Sequence, residues 1–237
     1  KHAEKYEQKC ISSADKLIFT TQKLASIAQS RYKLDKNNIH VIPNYIVPET
    51  WSPAHKVREK VKQITVSFFG RLSPEKNLAN LLLASIGLNV KFVIIGDGPE
   101  KEKLLKIAKK NDINIDFLGA ISQKEIKNKI KKADFFALVS KYEGHPKSLI
   151  EATYLGIPVI ASNSSGVAEV FSEHKFPIVC SGTIEGIRVA LKCALLMTSE
   201  ERRNRGEMGR DWAQKMFSVS IIAEKERSAL HLLSHFK

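Results

Sequence analysis

Apolar and polar positions alternate in blocks along most of this 237-residue chain. Short apolar runs typical of buried strands recur at residues 64–69, 90–95, 115–118, 135–139, 158–161 and 177–179. Between them lie stretches of about a dozen residues with the 3.6-residue period of amphipathic helices. This alternation predicts right-handed βαβ units and an α/β fold built on a doubly wound parallel sheet.

The first part of the chain carries a smaller set of elements. Its patterns are the end of a helix, a buried strand, a helix and a short strand at residues 1–13, 15–20, 21–32 and 39–42. These pieces cannot close a core, so they are predicted to end a larger domain whose beginning is missing. Prolines then indicate a linker. The predicted divisions are a truncated domain, a linker, a second domain and a last helix, over residues 1–43, 44–62, 63–216 and 217–237.

The chain is strongly basic, with 38 Lys and Arg against 25 Asp and Glu and a net charge of +13. Such a charge indicates an anionic partner, for example a nucleotide or an acidic lipid. Ten lysines and four acids lie between residues 101 and 132, but at a spacing typical of the solvated faces of two amphipathic helices. These lysines are not interleaved with aromatic stacking positions, so no nucleic acid is predicted as a partner.

Three scattered cysteines, Cys10, Cys180 and Cys193, form neither a disulfide framework nor a zinc motif. Cysteine use of this kind is typical of a reducing compartment. No apolar stretch approaches the ~18 residues of a membrane span, and the charged start does not have the pattern of a signal peptide. The sequence therefore predicts a cytoplasmic protein, for which peripheral contact at the inner face of a membrane stays open.

The loop after the strand at residues 135–139 has the most informative pattern. It reads Tyr142-Glu143-Gly144-His145-Pro146 and leads into an apolar helical segment. Pro146 suits a first helical turn, because its missing N–H would be unpaired there anyway. The N–H groups at the helix start, those of Lys147, Ser148 and Leu149, would then face an anion such as a phosphate.

Two carboxylates flank this predicted phosphate seat, Glu143 in the loop and Glu151 in the helix. A ligand that carries both phosphates and sugar hydroxyls would use the amides and the carboxylates together. The alternative is a capped helix with one exposed glutamate and one buried polar contact. His145 is a further candidate ligand, with an ordinary surface histidine as the alternative.

Two cations follow the first strand of the predicted sheet. Gly70 and Arg71 come directly after it, and Lys76 lies five positions beyond Arg71. Arginine offers a planar fork for two phosphate oxygens, and lysine a point charge. Doubly wound sheets bind ligands beyond the carboxyl ends of their strands, so a phosphate site is predicted here. Two solvated charges on a turn are the alternative.

Other motifs are weak or absent. In the turn Gly96-Asp97-Gly98-Pro99, Lys101 stands where a dinucleotide fingerprint needs its last glycine, so NAD is not predicted. The chain has no Walker A loop, no Gly-x-Ser-x-Gly, no His-Glu-x-x-His and no Asp-x-Asp. Neither a cofactor nor a metal site is therefore predicted.

Taken together, these motifs resemble the C-terminal, donor-binding half of a family four glycosyltransferase with GT-B architecture, in which two Rossmann-like domains face each other. The resemblance covers about residues 15–220, and the earlier segment resembles the end of the acceptor domain, a fragment of a second Rossmann-like domain. The motifs that carry it, in family order, are Phe69-Gly70-Arg71-Leu72-Ser73-Pro74-Glu75-Lys76-Asn77, Val93-Ile94-Ile95-Gly96-Asp97-Gly98-Pro99, Phe117-Leu118-Gly119, Ala133-Asp134, Glu143-Gly144 with Leu149-Ile150-Glu151-Ala152, and Gly156-Ile157-Pro158-Val159-Ile160-Ala161.

The resemblance implies a retaining, metal-independent transferase that moves a sugar from a nucleotide diphosphate, a UDP-sugar or GDP-sugar, onto a glycan or lipid-linked acceptor. It implies that Arg71 and Lys76 bind the diphosphate and offset charge on the leaving group, which with Glu143 makes them the catalytic candidates. Glu143 would contact the sugar and Glu151 the ribose. The implied donor-binding set is Gly70, Arg71, Lys76, Glu143, Gly144, His145, Pro146, Lys147, Ser148, Leu149 and Glu151.

The sequence departs from the family pattern in two places. His145-Pro146 replaces the commoner Phe-Gly, and Tyr45 follows Pro43-Asn44 where a glycine is usual. Without the acceptor domain, the chain is expected to be chiefly the donor-binding half and to transfer sugar poorly. The alternatives are a non-catalytic nucleotide-binding module, a subunit of a split transferase, or a GT-B nucleotide-sugar epimerase.

Overall fold

The computed structural model describes residues 2–47, 63–171 and 174–231. In these ranges the α-helices are α1 to α10, at His2–Ser12, Gln22–Tyr32, Leu78–Ala84, Lys101–Lys110, Gln123–Ile130, Lys147–Tyr154, Val167–Phe171, Ile184–Leu196, Ser199–Phe217 and Val219–His231. The strands are β1 to β8, at Leu17–Phe19, Ile39–Val41, Ile64–Phe69, Val90–Ile95, Ile115–Phe117, Phe135–Leu138, Val159–Ser162 and Ile178–Cys180. Two short 3-10 turns lie at Lys36–Asn38 and Pro74–Lys76.

The larger sheet has the strand order β5-β4-β3-β6-β7-β8, and all of its pairs are parallel. From β3 to β5, successive strands are added toward one edge of the sheet, and from β6 to β8 toward the other. The strand order therefore reverses between β3 and β6. Helices flank the sheet, with α3 packed on α4 and α8, and α6 on α9. The predicted α/β class and doubly wound sheet are confirmed.

The core lies between this sheet and its helices. Phe68 and Phe136 from the two central strands stack with ring centroids 6.4 Å apart, and both are fully buried. Burying such a side chain stabilises the fold by about 1.5–3 kcal/mol. The strands at the switch in order are therefore firmly anchored in the core, and the loops that follow them begin at fixed positions.

The smaller sheet pairs β1 with β2 in parallel, in register from Leu17 opposite Ile39 to Phe19 opposite Val41. The strand predicted at residues 15–20 is present as β1. The prediction that it is buried is wrong, since Ile18 is 52% exposed. In the described part of the chain α2 packs on this sheet, and a two-stranded sheet covered on one side leaves its other side open.

Capping boxes begin two of the helices. Ser122 and Thr198 each accept the N–H of a glutamate three residues later, and the side chains of Glu125 and Glu201 each accept the cap residue's own N–H. These reciprocal bonds fix the starts of α5 and α9. The division into two domains, a linker and a last helix stays a prediction, and residues 48–62 of that linker and 232–237 of that helix lie outside the described residues.

The loops after β3 and β4 approach each other closely at a glycine. A Cβ atom on Gly96 would lie 1.9 Å from the carbonyl oxygen of Gly70, and Gly96 has φ +130°. The Leu72 N–H donates to the Asp97 carbonyl, 2.9 Å away. The turn at Gly96-Asp97-Gly98 thus contacts the backbone on either side of Arg71 and holds it in place.

We expect Gly96→Ala to destabilise the protein by about 3 kcal/mol or more, because it combines a steric clash with backbone strain. Gly119→Ala is the matched control, since Gly119 has φ +66° but no heavy atom within 4 Å of an added Cβ. Strain alone should cost that variant about 1–2 kcal/mol. Urea unfolding measures both free energies, and equal losses would contradict the packing argument.

Candidate functional site

The site forms where β3 and β6 end side by side. Val66 of β3 is paired with Phe135 of β6 in parallel, so the loops that follow the two strands leave the sheet at the same edge. Arg71 and Lys76 lie on the first loop and Glu143 on the second. The strand order reverses at this point, and in open α/β sheets the crevice beside such a switch point is the usual ligand position.

Lys76 and Glu143 form an ion pair across the crevice. The Lys76 Nζ atom lies 2.7 Å from Glu143 Oε1, and the two side chains are 19% and 11% exposed. Ser140 Oγ donates to the same carboxylate oxygen at 2.6 Å. The carboxylate therefore accepts two hydrogen bonds from two strand ends, which fixes its position. The structure brings these two predicted site residues into direct contact.

Arg71 is exposed at the same edge, and no carboxylate pairs with it in the described ranges. Next to it the Ser73 hydroxyl donates to the Glu75 carboxylate, an interaction that together with Lys76 and Arg71 lowers the pKa of Glu75. Glu75, the nearest acidic residue of this loop, is thus hydrogen-bonded to Ser73. Arg71 remains available to an anion from solution.

The start of α6 differs from the expectation. Pro146 occupies the N-cap and not the first helical turn. The Lys147 N–H donates to the His145 carbonyl at 2.8 Å, and the Leu149 N–H to the Pro146 carbonyl at 3.0 Å. Two of the three amides expected to face an anion are therefore occupied. Within the described ranges, the N–H groups of Gly144, His145 and Ser148 at this helix start have no hydrogen-bond partner.

Glu151 lies in the second turn of α6 and is 5% exposed. Burial raises the pKa of its carboxyl to about 7, against a smaller opposing effect of Lys147. No described side chain or backbone N–H donates to this carboxyl group. A largely buried acid with a raised pKa, at the edge of the sheet where ligands bind, is a candidate binding residue.

The His145 side chain lies against the segment that precedes the large domain. Its Nδ1 atom is 3.0 Å from Asn44 Nδ2, and its ring meets Phe217 edge-on at 5.7 Å. Burial lowers the pKa of His145 to about 4, so the ring is neutral at pH 7 and Nδ1 accepts from the amide. The side chain thus contacts Asn44 and Phe217, while the backbone N–H of His145 stays unpaired in the loop.

The loop after β7 also holds the backbone of Glu143, a contact that the sequence does not indicate. The Glu143 N–H donates to the Ser165 carbonyl at 2.9 Å. An added Cβ on Gly166, which has φ +81°, would lie 1.9 Å from the Glu143 carbonyl oxygen. The short polar run before α7 contains this glycine, but nothing in the run indicates which loop it contacts.

Glu169 makes a second contact that the sequence does not indicate. Its Oε1 accepts the N–H of Lys23 at 2.9 Å, at the start of α2. A carboxylate at a helix N-terminus is favoured by the helix dipole. This bond joins the large sheet unit to the small one, beside the contact between His145 and Asn44.

No group of three or more His, Cys, Asp or Glu side chains that could hold a metal ion occurs in residues 2–47, 63–171 and 174–231. Over the same ranges no helix combines the length and the apolar character that a membrane crossing requires.

A doubly wound parallel sheet with a lysine–glutamate pair at its strand ends defines a Rossmann-like α/β protein with a candidate ligand site at its strand ends. The family model described as "Glycosyl transferases group 1" matches residues 50–212. The chain belongs to this family, and the GT-B resemblance seen in its motifs is confirmed.

Two relatives illustrate the match. The chain is 30% identical over 183 residues to the amylovoran biosynthesis glycosyltransferase AmsD of Erwinia amylovora, an alignment that covers 71% of this chain and 49% of AmsD. It is 33% identical over 132 residues to the 2-deoxystreptamine N-acetyl-D-glucosaminyltransferase of Niallia circulans, covering 52% of this chain and 34% of that protein. The chain thus spans about half or less of the length of these relatives.

Solved structures share the fold. A sucrose-phosphate synthase from Thermosynechococcus elongatus superposes with a TM-score of 0.85 at 19% identity, over 98% of this chain and 61% of that one. Anabaena Alr3699/HepE, solved with UDP and glucose, superposes with a TM-score of 0.78 at 20% identity, over 93% and 64%. At these identities the likeness establishes the fold alone.

The raised pKa of Glu151 predicts a pH-dependent stability. In the folded protein this acid holds its proton up to pH about 7, against an ordinary value of 4.5, so the free energy of unfolding falls as pH rises from 4.5 to 7. Glu151→Gln removes this loss. Between pH 4 and pH 8, we expect the free energy of unfolding of the variant to rise by about 3 kcal/mol relative to that of the parent.

Urea unfolding at both pH values measures the gain. The control is Glu102→Gln, at an exposed position of α4. A difference between Glu151→Gln and the parent that stays the same at pH 4 and pH 8 would contradict the assignment of a buried, protonated carboxyl.

Proposed function

We propose that the chain is chiefly the donor-binding half of a retaining, metal-independent glycosyltransferase. Its donor would be a nucleotide-diphosphate sugar, a UDP-sugar or GDP-sugar, and its acceptor a glycan or lipid-linked sugar. A lipid-linked acceptor would bring a cytoplasmic enzyme to the membrane face. The proposal is supported by the switch point between β3 and β6, where the two loops carry a lysine–glutamate pair, an arginine without a carboxylate partner and backbone N–H groups that are unpaired within the described ranges.

The diphosphate fits the cationic flank of this crevice. Lys76 is held at the strand ends by Glu143, and Arg71 is exposed and unpaired within the described ranges. Arg71 can bridge two phosphate oxygens, and Lys76 adds a point charge beside it. As the bond between sugar and diphosphate breaks, negative charge accumulates on the leaving group. Cations fixed in advance stabilise this charge without reorganisation.

The sugar hydroxyls fit the acidic flank. Glu151 is buried with no described donor to its carboxyl group, so two ribose hydroxyls would give it the hydrogen bonds it lacks. Glu143 is held in place by Lys76 and Ser140, beside the start of α6. In that position it would accept from the transferred sugar, while the N–H of Ser148 would reach a phosphate oxygen.

The relatives favour this donor and acceptor chemistry. Alr3699/HepE was solved with UDP and glucose and also with UDP-glucose. AmsD is named for the biosynthesis of a polysaccharide, and another relative, from Campylobacter jejuni, for a transfer to a sugar chain on undecaprenol diphosphate. The second name describes a sugar added to a lipid-linked glycan.

Arg71→Ala and Lys76→Ala should each weaken the binding of uridine or guanosine diphosphate by about 1–3 kcal/mol, because each removes a charge-assisted hydrogen bond. Titration calorimetry with the diphosphate that the parent binds measures the loss. Lys106→Ala is the matched control, since it removes one positive charge from an exposed position of α4. Binding as tight in the Arg71 and Lys76 variants as in the Lys106 variant would refute the site.

The two carboxylates should have separable effects. Glu151→Gln should weaken the nucleoside and the sugar nucleotide alike, because the ribose is common to both. Glu143→Gln should leave the nucleoside unaffected and weaken the sugar nucleotide, with losses of about 1–3 kcal/mol in each case. Calorimetry of uridine, uridine diphosphate and UDP-glucose with each variant tests the division, and identical profiles would overturn it.

A further inference from the structure

Asn77 follows Lys76 and has a backbone conformation that few residues adopt. Its φ and ψ are 58° and 27°, in the left-handed region, at the junction between the 3-10 turn Pro74–Lys76 and helix α3. Asparagine tolerates this region better than most side chains, and glycine adopts it freely. The residue beside the candidate cation is therefore one whose type is restricted by its backbone.

The Asn77 side chain joins three strand ends. It is buried, with 6% of the residue exposed. Its Nδ2 atom donates to the carbonyl of Val139 at 3.1 Å and to that of Gly182 at 2.8 Å. These carbonyls follow β6 and β8, while Asn77 itself lies on the loop after β3. Both amide hydrogens are thus used to hold the first loop against the other two.

A second tie lies on the other side of Lys76. The Lys141 N–H donates to the Glu75 carbonyl at 2.7 Å. Lys76 is consequently flanked by one residue held to the β6 loop through its backbone and by another held through its side chain. Its backbone cannot shift along the crevice without breaking one of these ties, which keeps the lysine side chain within reach of Glu143.

We propose that Asn77 is a positioning residue that holds Lys76 at the diphosphate position without contacting the ligand. The inference rests on the proposed function, because it assigns to Asn77 the placement of a cation that would bind the donor. Placement matters since an error of about 1 Å in a charged contact loses most of its hydrogen bond.

A double-mutant cycle tests the inference. Asn77→Gly keeps the left-handed backbone and removes both side-chain bonds. If Asn77 acts through Lys76, the substitution should weaken UDP binding about tenfold in the parent and less than about twofold in the Lys76→Ala background. Titration calorimetry gives the affinities, and thermal unfolding in both backgrounds shows that each variant is folded at the temperature of the titration.

Asn80→Ala is the matched control, since Asn80 donates to the same Gly182 carbonyl at 3.2 Å but is not adjacent to the lysine. It should leave UDP affinity within about twofold of the parent. Should Asn77→Gly not fold, Asn77→Ser replaces it in the cycle.

The outcomes separate two failures. Equal losses of UDP affinity from Asn77→Gly in the parent and in the Lys76→Ala background would overturn the positioning role alone. A loss of UDP affinity from Asn80→Ala as large as that from Asn77→Gly would do the same. An unchanged affinity in Lys76→Ala itself would overturn the proposed diphosphate site, and the inference with it.

Discussion

The parallel pairing of β3 with β6 is the constraint on which the candidate site depends. These strands are neighbours in the sheet but are separated in the chain by two complete βα units. Their pairing brings together the two loops that carry Lys76 and Glu143, residues 67 positions apart, whose side chains meet at 2.7 Å. The ion pair is only partly exposed, so solvent screens it less than a surface pair, and loss of either partner would leave a charge without compensation.

The pair also sets the electrostatic state of the crevice. Glu143 neutralises Lys76 before any ligand arrives, whereas Arg71 is exposed and unpaired within the described ranges. An incoming diphosphate would meet Arg71 first and then share Lys76 with Glu143. Because Ser140 holds the same carboxylate oxygen, Glu143 would keep its position when Lys76 turns to the phosphate. The arrangement pre-organises one cation and leaves the other adaptable.

The fold was predictable because each strand and helix has its own local pattern. Six apolar runs separated by amphipathic segments admit few topologies besides a doubly wound sheet. The burial of β1 was not predictable, since an apolar triplet such as Leu17–Phe19 looks the same whether one or both of its faces are covered. At the start of α6, sequence alone placed Pro146 one position too far into the helix. Boundaries of this kind depend on the loop geometry, here the bond from the Lys147 N–H to the His145 carbonyl.

The candidate site was predictable as a set of residues but not as a set of contacts. Arg71, Lys76, Glu143 and Glu151 are identified by their positions after the ends of two strands, yet this pattern assigns the cations and the acids to opposite flanks. Direct pairing of Lys76 with Glu143 arises from side-chain reach across two loops, which no local pattern records. The same holds for His145, whose partner Asn44 lies 101 residues away. Long-range contacts of this kind decide which groups of a loop remain free, so the backbone N–H of His145 stays available to a ligand while its side chain binds Asn44.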